Sequence, residues 1–547
     1  MDMVMDTVRM LEKSPHNLFG LLLSLFAVTS LAQSGNTPGS VTNLSGTGTQ
    51  SGSAPPQVAG EEGQPAYQKQ AWVIKPKIAL TETWTDNVNI NRTAGNKQSD
   101  LITEIAPGIR VEANTARLKA HVDYTLRGQF YLQTDYNRTQ NALNAFGTFE
   151  AVDKWLFVDF SGVIAQQAIS AFGTQSAGSG VINSNSTETS TYRLSPYIKG
   201  KFIGSADYFL RYNRSTTTTS TANGYGVDLS EWAGQVKGDT PLSNLQWTLD
   251  GSQQTANYNS GRETDASRLT TRLTYAITPQ FRISGSGGWE SNNYASANQE
   301  NRATHGYGLD WNPTERTQLS LFKERRFFGD AHRYSVSHRF PRSTIQYSDT
   351  RDVSILPNQF ASVGLGTVYD LYFNLFASLI PDPTQRAAFV SALLARPGAP
   401  DPNMQVTSSF LASRASIQRR QQLSLLLLGA RNSITFLANR NTSQSIFAGS
   451  TLNDDFSNTS EIRQTGYSIN YGHQLSEISS LNVLASRQKS VGSGVSNLNT
   501  TISIYQLNVS TKLGAKTTGS VSVRHTDSNG NVAFTENALL GTISFIY

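Results

Sequence analysis

The chain has 547 residues, no cysteine, a formal net charge of +5 and a mean hydropathy of −0.35. Disulfides, thiolate metal centres and a cysteine nucleophile are therefore excluded. Past the N-terminus no apolar run approaches the ~18 residues a membrane-spanning helix needs, and the basic residues are interleaved with acids rather than clustered as nucleic-acid binding requires.

In chain order, Arg9 and Lys13 precede the apolar segment Leu18 to Val28, which ends at the small-residue site Ser30-Leu31-Ala32. This pattern predicts a secretory signal peptide over 1–32, with Gln33 as the mature N-terminus. Residues 33–70, rich in Gly, Ser, Thr, Gln and Pro, read as a disordered periplasmic segment. From 71 to 547 no composition break divides the chain, so a single domain is expected.

That domain reads as strands. Between Arg117 and Leu132 the even positions (Leu118, Val122, Tyr124, Leu126, Phe130) are apolar, and the odd ones (Lys119, His121, Asp123, Arg127, Gln129) are polar. Strict alternation marks a strand, because successive side chains point to opposite faces. This one runs more than twice the ~5–6 residues of an ordinary strand. The pattern recurs at 101–112, 156–164, 206–213, 245–250 and 268–277, and the last strand places Leu539, Gly541, Ile543, Phe545 and Tyr547 on one face. A terminal aromatic behind alternating apolar residues resembles the assembly signal of outer-membrane barrels, which assigns that role to Phe545 and Tyr547.

The connections alternate in length. Long ones are expected at 85–100, 169–187, 213–227, 441–459 and 525–532, and short ones at 113–115, 151–154, 277–280, 312–315, 340–343 and 428–433. Outer-membrane barrels have long outer loops and short periplasmic turns. The expectation is an all-β transmembrane antiparallel barrel of about 22 strands (range 16–24) over 71–547, with both chain ends on the periplasmic side.

One segment departs from this. Over 366–398, Tyr369, Tyr372, Leu375, Phe376 and Leu379 recur at helical spacing. Asp382-Pro383 suits a helix start, and Phe389, Val390, Leu393 and Leu394 form a second stripe before Pro397-Gly398. This predicts a two-helix insert in an outer loop, either on the rim or as a lid inside the lumen, with Phe376, Leu379, Phe389 and Leu393 as lid residues.

The inward faces carry Lys119, His121, Asp123, Arg127, Arg193, Lys199, Arg211, Arg268 and Arg272 as lumen-facing candidates, with Phe146, Trp155, Phe157 and Tyr197 as inward aromatics. A positive excess there would favour anions. No catalytic constellation emerges. His121 and Asp123 share a face without a third partner, and His332 and His338 lie ~20 Å apart. Asp454-Asp455 suits a divalent ion, lipopolysaccharide or a solvated turn, and there is no G-x-S-x-G. No enzyme activity, cofactor, metal or nucleic acid is expected.

Residues 81–133, through Thr85-Asp86-Asn87-Val88, Ser99-Asp100, Pro107-Gly108-Ile109 and the Tyr124 to Tyr131 spacing, resemble the start of the outer-membrane barrel family associated with the PEP-CTERM/exosortase system. The resemblance implies a porin-like barrel tied to exopolysaccharide export or surface biogenesis. It also implies partners among outer-membrane lipid and lipopolysaccharide, the barrel-assembly machinery and periplasmic export proteins, and it supplies no catalytic residues. A non-conducting docking barrel and a barrel-embedded lipid hydrolase remain as alternatives at this stage.

Overall fold

The computed structural model describes residues 71–90, 96–176, 178, 180–202, 206–220, 225–242, 244–259, 261–356, 369, 372–373, 386, 389–390, 410–447, 454–494 and 497–547. The signal peptide and the 33–70 segment lie outside the described residues. So do Phe376, Leu379, Leu393 and most of the 366–398 insert.

Twenty-two antiparallel strands form one sheet. They are β1 (Trp72–Thr85), β2 (Asp100–Asn114), β3 (Leu118–Tyr131), β4 (Arg138–Val152), β5 (Leu156–Ala168), β6 (Ser186–Phe202), β7 (Ala206–Thr219) and β8 (Val227–Asp239). Then come β9 (Leu245–Tyr258), β10 (Thr264–Thr278), β11 (Phe281–Asn292), β12 (Glu300–Thr314), β13 (Thr317–Arg326), β14 (Gly329–Arg339) and β15 (Ser343–Ser354). The sheet ends with β16 (Ser416–Leu428), β17 (Asn432–Ser445), β18 (Glu461–Gln474), β19 (Ser479–Ser493), β20 (Leu498–Lys512), β21 (Thr517–Gly530) and β22 (Phe534–Ile546).

Each strand pairs with its sequence neighbours, and β22 pairs with β1 from Lys77↔Ile546 to Thr85↔Ala538. The sheet is therefore closed and has no free edge, the condition for strands to cross hydrocarbon with every backbone group satisfied. Between Asn114 and Leu118 the turn is closed by the Thr115 amide donating to the Leu118 carbonyl, at 2.9 Å. At the other end the connections are mostly longer. The stretch after β21 is an exception: Gly530 and Phe534 bound a tight turn where 525–532 suggested a long loop. Strand-like Thr, Ser and Asn continue the ladder to Gly530, whose φ of +109° turns the chain without a Cβ to resist it.

The outward face is an apolar wall between two aromatic bands. Trp72, Trp155, Phe202, Trp311, Phe340 and Tyr547 lie exposed near the short-turn end, Trp84, Phe130 and Trp289 near the long-loop end, and Trp232, Tyr307, Tyr467 and Tyr505 about midway along their strands. Rings with one polar edge settle where hydrocarbon meets headgroups. The protein is a bacterial outer-membrane β-barrel. Trp155 corrects an expectation: its indole donates to the Tyr208 hydroxyl (3.0 Å) on the outward surface rather than facing the lumen.

The outward charges are unevenly distributed among the strand residues. On β13–β18, Lys323 and Arg325 meet Asp330 (2.9 and 3.2 Å), Arg419 and His332 meet Asp349 (2.7 and 3.0 Å), and Arg463 meets Glu461 (2.6 Å). Around the rest of the wall the outward strand charges are chiefly acidic (Glu82, Glu188, Asp228, Asp265, Asp527), with Arg214 paired to Asp228 at 3.5 Å.

The core sits inside the mouth at the long-loop end, where inward residues of the strand ends bury loop residues. Val88 packs with Ile102, Tyr131 and Ile182. Ile90 and Val181 pack with Ile502 and Phe534. Ala171, Phe172, Phe410, Ala412 and Phe456 pack with Ile462. The long loops thus fold inwards. With long connections outside the cell, an epitope inserted at Ala430, between β16 and β17, is expected to be silent to antibody on intact cells. One at Asn298, between β11 and β12, should be labelled, and the reverse pattern would invert the orientation.

Candidate functional site

The strands hold their polar parity inwards by register. Lys119, His121, Asp123 and Arg127 on β3 oppose Thr148, Phe146, Asn144 and Gln140 of β4. Arg193 and Lys199 on β6 oppose Ser215 and Phe209 of β7. Arg211 opposes Tyr197, and Arg268 and Arg272 on β10 oppose Ser252 and Thr248 of β9.

These residues form separate groups rather than one site. In the first, Asp123 is held by Lys77 from β1 and by Arg110 from β2, the latter through Nη2 at 2.7 Å and Nε at 2.8 Å. His121 is not bonded to Asp123. Its ring is buried and stacks on Phe146 with centroids 5.4 Å apart. The lumen pair expected from sequence is thus a three-strand charge clamp beside an aromatic stack.

In the second group, Phe157 and Tyr197 stack at 5.1 Å, Lys199 lies 4.3 Å over Phe157 and Arg211 lies 4.6 Å over Tyr197. Arg211 also donates to Asp159 at 2.7 Å, and Thr148 donates to the same carboxylate at 2.7 Å. Cations over ring faces gain about 0.5–2 kcal/mol; Arg211 is buried with its charge committed to Asp159, while Lys199 is only half-buried. In the third group Arg268 pairs with Glu324, Arg272 lies 4.4 Å over Phe322, and Arg326 bonds Glu290 at 2.7 Å. Arg127, Lys119 and Arg193 stand on the same inward face, Arg193 close enough to Arg211 to feel its charge.

The connection between β15 and β16 enters this lumen. Of the 366–398 segment, Tyr369, Tyr372, Phe373, Arg386, Phe389 and Val390 are described, and their backbone is helical. The Tyr372 hydroxyl lies 2.8 Å from the Thr435 hydroxyl, and Tyr372 is buried at 3% exposure. Thr435 is on the inward face of β17, three residues from its short-turn end. Phe373 meets Phe146 of β4 edge-on at 5.9 Å, and Arg386 lies 4.2 Å over the Phe373 ring. Strands β1–β3 and β18–β22 lie between β4 and β17. Neighbouring residues of one outer connection therefore touch separate walls of the lumen deep below the mouth. Phe389, expected as a lid residue, is partly exposed, while Val390 beside it is fully buried.

Asp454 and Asp455 close the mouth above. They are not a solvated turn, and no metal-ligand cluster occurs among the described residues. Asp454 is buried and accepts from Arg414 through Nε at 3.0 Å and Nη2 at 2.5 Å. Asp455 accepts from the Ser170 hydroxyl and the Ala171 amide, both at 2.7 Å. The pair staples the 169–185 loop, the 410–415 segment and the loop before β18. Burial pushes the Asp455 carboxyl up to about 6, with the Asp454 charge adding to the rise. A raised folded-state value favours the protonated form. The staple is therefore strongest at acid pH and weakens as pH rises through about 6. Proteolysis of the outer loops, normalised to an unstructured reference peptide, should accelerate between about pH 4 and pH 6, from the ordinary carboxylate value to the raised one, and level off above it, and D455N should flatten that dependence.

Sequence reasoning missed this mouth. Its signal was present in Ile102, Ile462, Ile502 and Phe534, apolar residues on the otherwise polar parity at the long-loop ends of their strands.

No described protein family matches the sequence, and no curated protein resembles it significantly. Solved structures resemble the chain only at low similarity. The FrpB iron transporter of Neisseria meningitidis is 8% identical with a TM-score of 0.46, covering 86% of this chain and 81% of that one. The ferric enterobactin receptor PfeA of Pseudomonas aeruginosa gives 9% and 0.44, over 87% and 80%. The siderophore receptor PirA of the same organism gives 8% and 0.41, over 87% and 80%.

Proposed function

We propose that the protein is a gated conduit of the outer membrane, not an enzyme, in which the 355–415 connection obstructs a lumen that passes an anionic or saccharide solute. The observation that carries this reading is the reach of Tyr372 and Phe373 to Thr435 and Phe146, two distant points of the inner wall. A lumen of about 22 strands is wide enough to need a plug. The insert is read as a helical hairpin lying inside it, supported by the helical backbone of its described residues. Stacked aromatics under Lys199 and Arg211 suit sugars and acids alike. The early-strand resemblance favours an exopolysaccharide or exosortase-linked export route for that solute.

Conductance of the purified protein in planar bilayers tests this. Discrete channel events that favour chloride over potassium in a salt gradient, and that an acidic oligosaccharide blocks, are expected. A silent barrel, even after removal of the insert, would instead point to a docking role.

A further inference from the structure

We propose that the outward face of β17–β19 near the long-loop end binds the phosphates of a glycolipid of the outer leaflet. The placement rests on the membrane orientation read from the connection lengths. Arg440 on β17 and Arg487 and Lys489 on β19 are exposed on the outward face, and none has an ion-pair partner among the described residues. The nearby outward cations Arg419 and Arg463 are already paired with acids.

Register gathers the three around β18. Thr465 lies opposite both Arg440 and Lys489, and Tyr467 lies opposite Arg487. Strands ~4.8 Å apart and same-face residues ~6.6 Å apart along a strand place the Cα atoms of the three within about 12 Å of one another, inside the reach of their long side chains. One phosphate can thus meet two of them, while the Thr465 hydroxyl offers a hydrogen bond between them.

Height in the membrane selects the ligand. Tyr467 and Tyr505 are the last outward apolar residues of β18 and β20, with Thr465 and Arg463, and Ser503 and Thr501, beyond them, and so mark the edge of the hydrocarbon in this arc. The cations stand at that edge and just above it, where the surroundings of a barrel wall are lipid headgroups. Unpaired charge is unfavourable beside acyl chains, and an anionic headgroup at the same height removes the penalty. The acidic remainder of the outward wall would repel the same headgroups, so the site is confined to one arc.

The test uses full-length protein in detergent. Its binding to bis-phosphorylated lipid A, to dephosphorylated lipid A and to inorganic pyrophosphate is measured by native mass spectrometry and competition. Wild type is expected to hold the phosphorylated lipid at least about tenfold tighter than the dephosphorylated one, the range one lost charge-assisted contact gives. R440Q/R487Q/K489Q should lose that preference, R440K/R487K should keep it, and R214Q on the acidic wall should leave it unchanged. Equal binding of the two lipids by wild type would overturn the proposal whether or not the triple variant folds. Equal retention of the phosphorylated lipid by a correctly folded triple variant would do the same. Pyrophosphate competing as well as lipid would identify a free-anion site instead. A variant that changes only the oligomeric state would identify an interface with a second copy.

Discussion

Replacing residues 367–397 with a short Gly-Ser linker is expected to leave the barrel inserted and raise its single-channel conductance severalfold. The two ends of the segment belong to one outer connection, so strand pairing from β15 to β16 (Ser343↔Leu427 to Ser354↔Ser416) is untouched. Among the described residues, Tyr372 and Phe373 touch the inward side chains Thr435 and Phe146, which need no partner from the lumen to keep their strands paired. Removing Tyr372, Phe373 and Arg386 therefore empties space without opening the sheet. Y372F/F373A should give a smaller increase, because it loosens the segment without deleting it. Sensitivity of cells to large antibiotics would report the same change in vivo. An inserted deletion variant with wild-type conductance would place the restriction elsewhere, in the mouth stapled by Asp454 and Asp455.

The second large effect concerns the closing strand. Ile543→Arg should destabilise the inserted barrel by about 2–4 kcal/mol, since Ile543 is more than half exposed on the outward face in the hydrocarbon zone and a charge there is costly. Phe545→Arg, two residues nearer the interface, should cost about 0–1 kcal/mol and impair assembly more than stability. Phe545 sits opposite Ile78 of β1, while the Tyr547 amide donates to the Pro76 carbonyl at 2.8 Å and the Tyr547 ring lies under Lys516. Urea titration in lipid vesicles measures the first loss, and heat-modifiable mobility of newly made protein measures the second. Equal stability of Ile543→Arg and wild type would remove the outward strand face from the membrane.

Strand number, closure and facing were legible because a closed barrel exposes one parity to lipid and the other to a polar interior. That two-residue period survives in residues such as Leu118 to Phe130 without help from distant parts of the chain. Trp155 was misplaced because a turn breaks the period: Lys154 adopts a positive φ of 54° and resets the parity just before β5. The Asp454 staple was not legible, since Arg414 and Ser170 approach it from connections far away in sequence. A pair of acids beside a turn looks the same whether solvated or buried. The three charge groups in the lumen were half legible: parity gives their common face, but only register tells Lys77 and Arg110, rather than His121, to meet Asp123.

The seam between β1 and β22 has a consequence for how the molecule comes to exist at all. Its hydrogen-bonded pairs join residues as remote as Thr81 and Thr542, whose hydroxyls meet at 3.0 Å across 461 positions of sequence. Every other strand pair joins sequence neighbours, most across connections short enough to zip as ribbons and one across the 355–415 connection, whereas this one must wait for the last residues of the chain. Loop-closure entropy is paid there in a single late step, so folding is slow and unfolding must reverse that same step. The endurance of the finished barrel is then a matter of rate more than of equilibrium. The seam is the line along which it first opens.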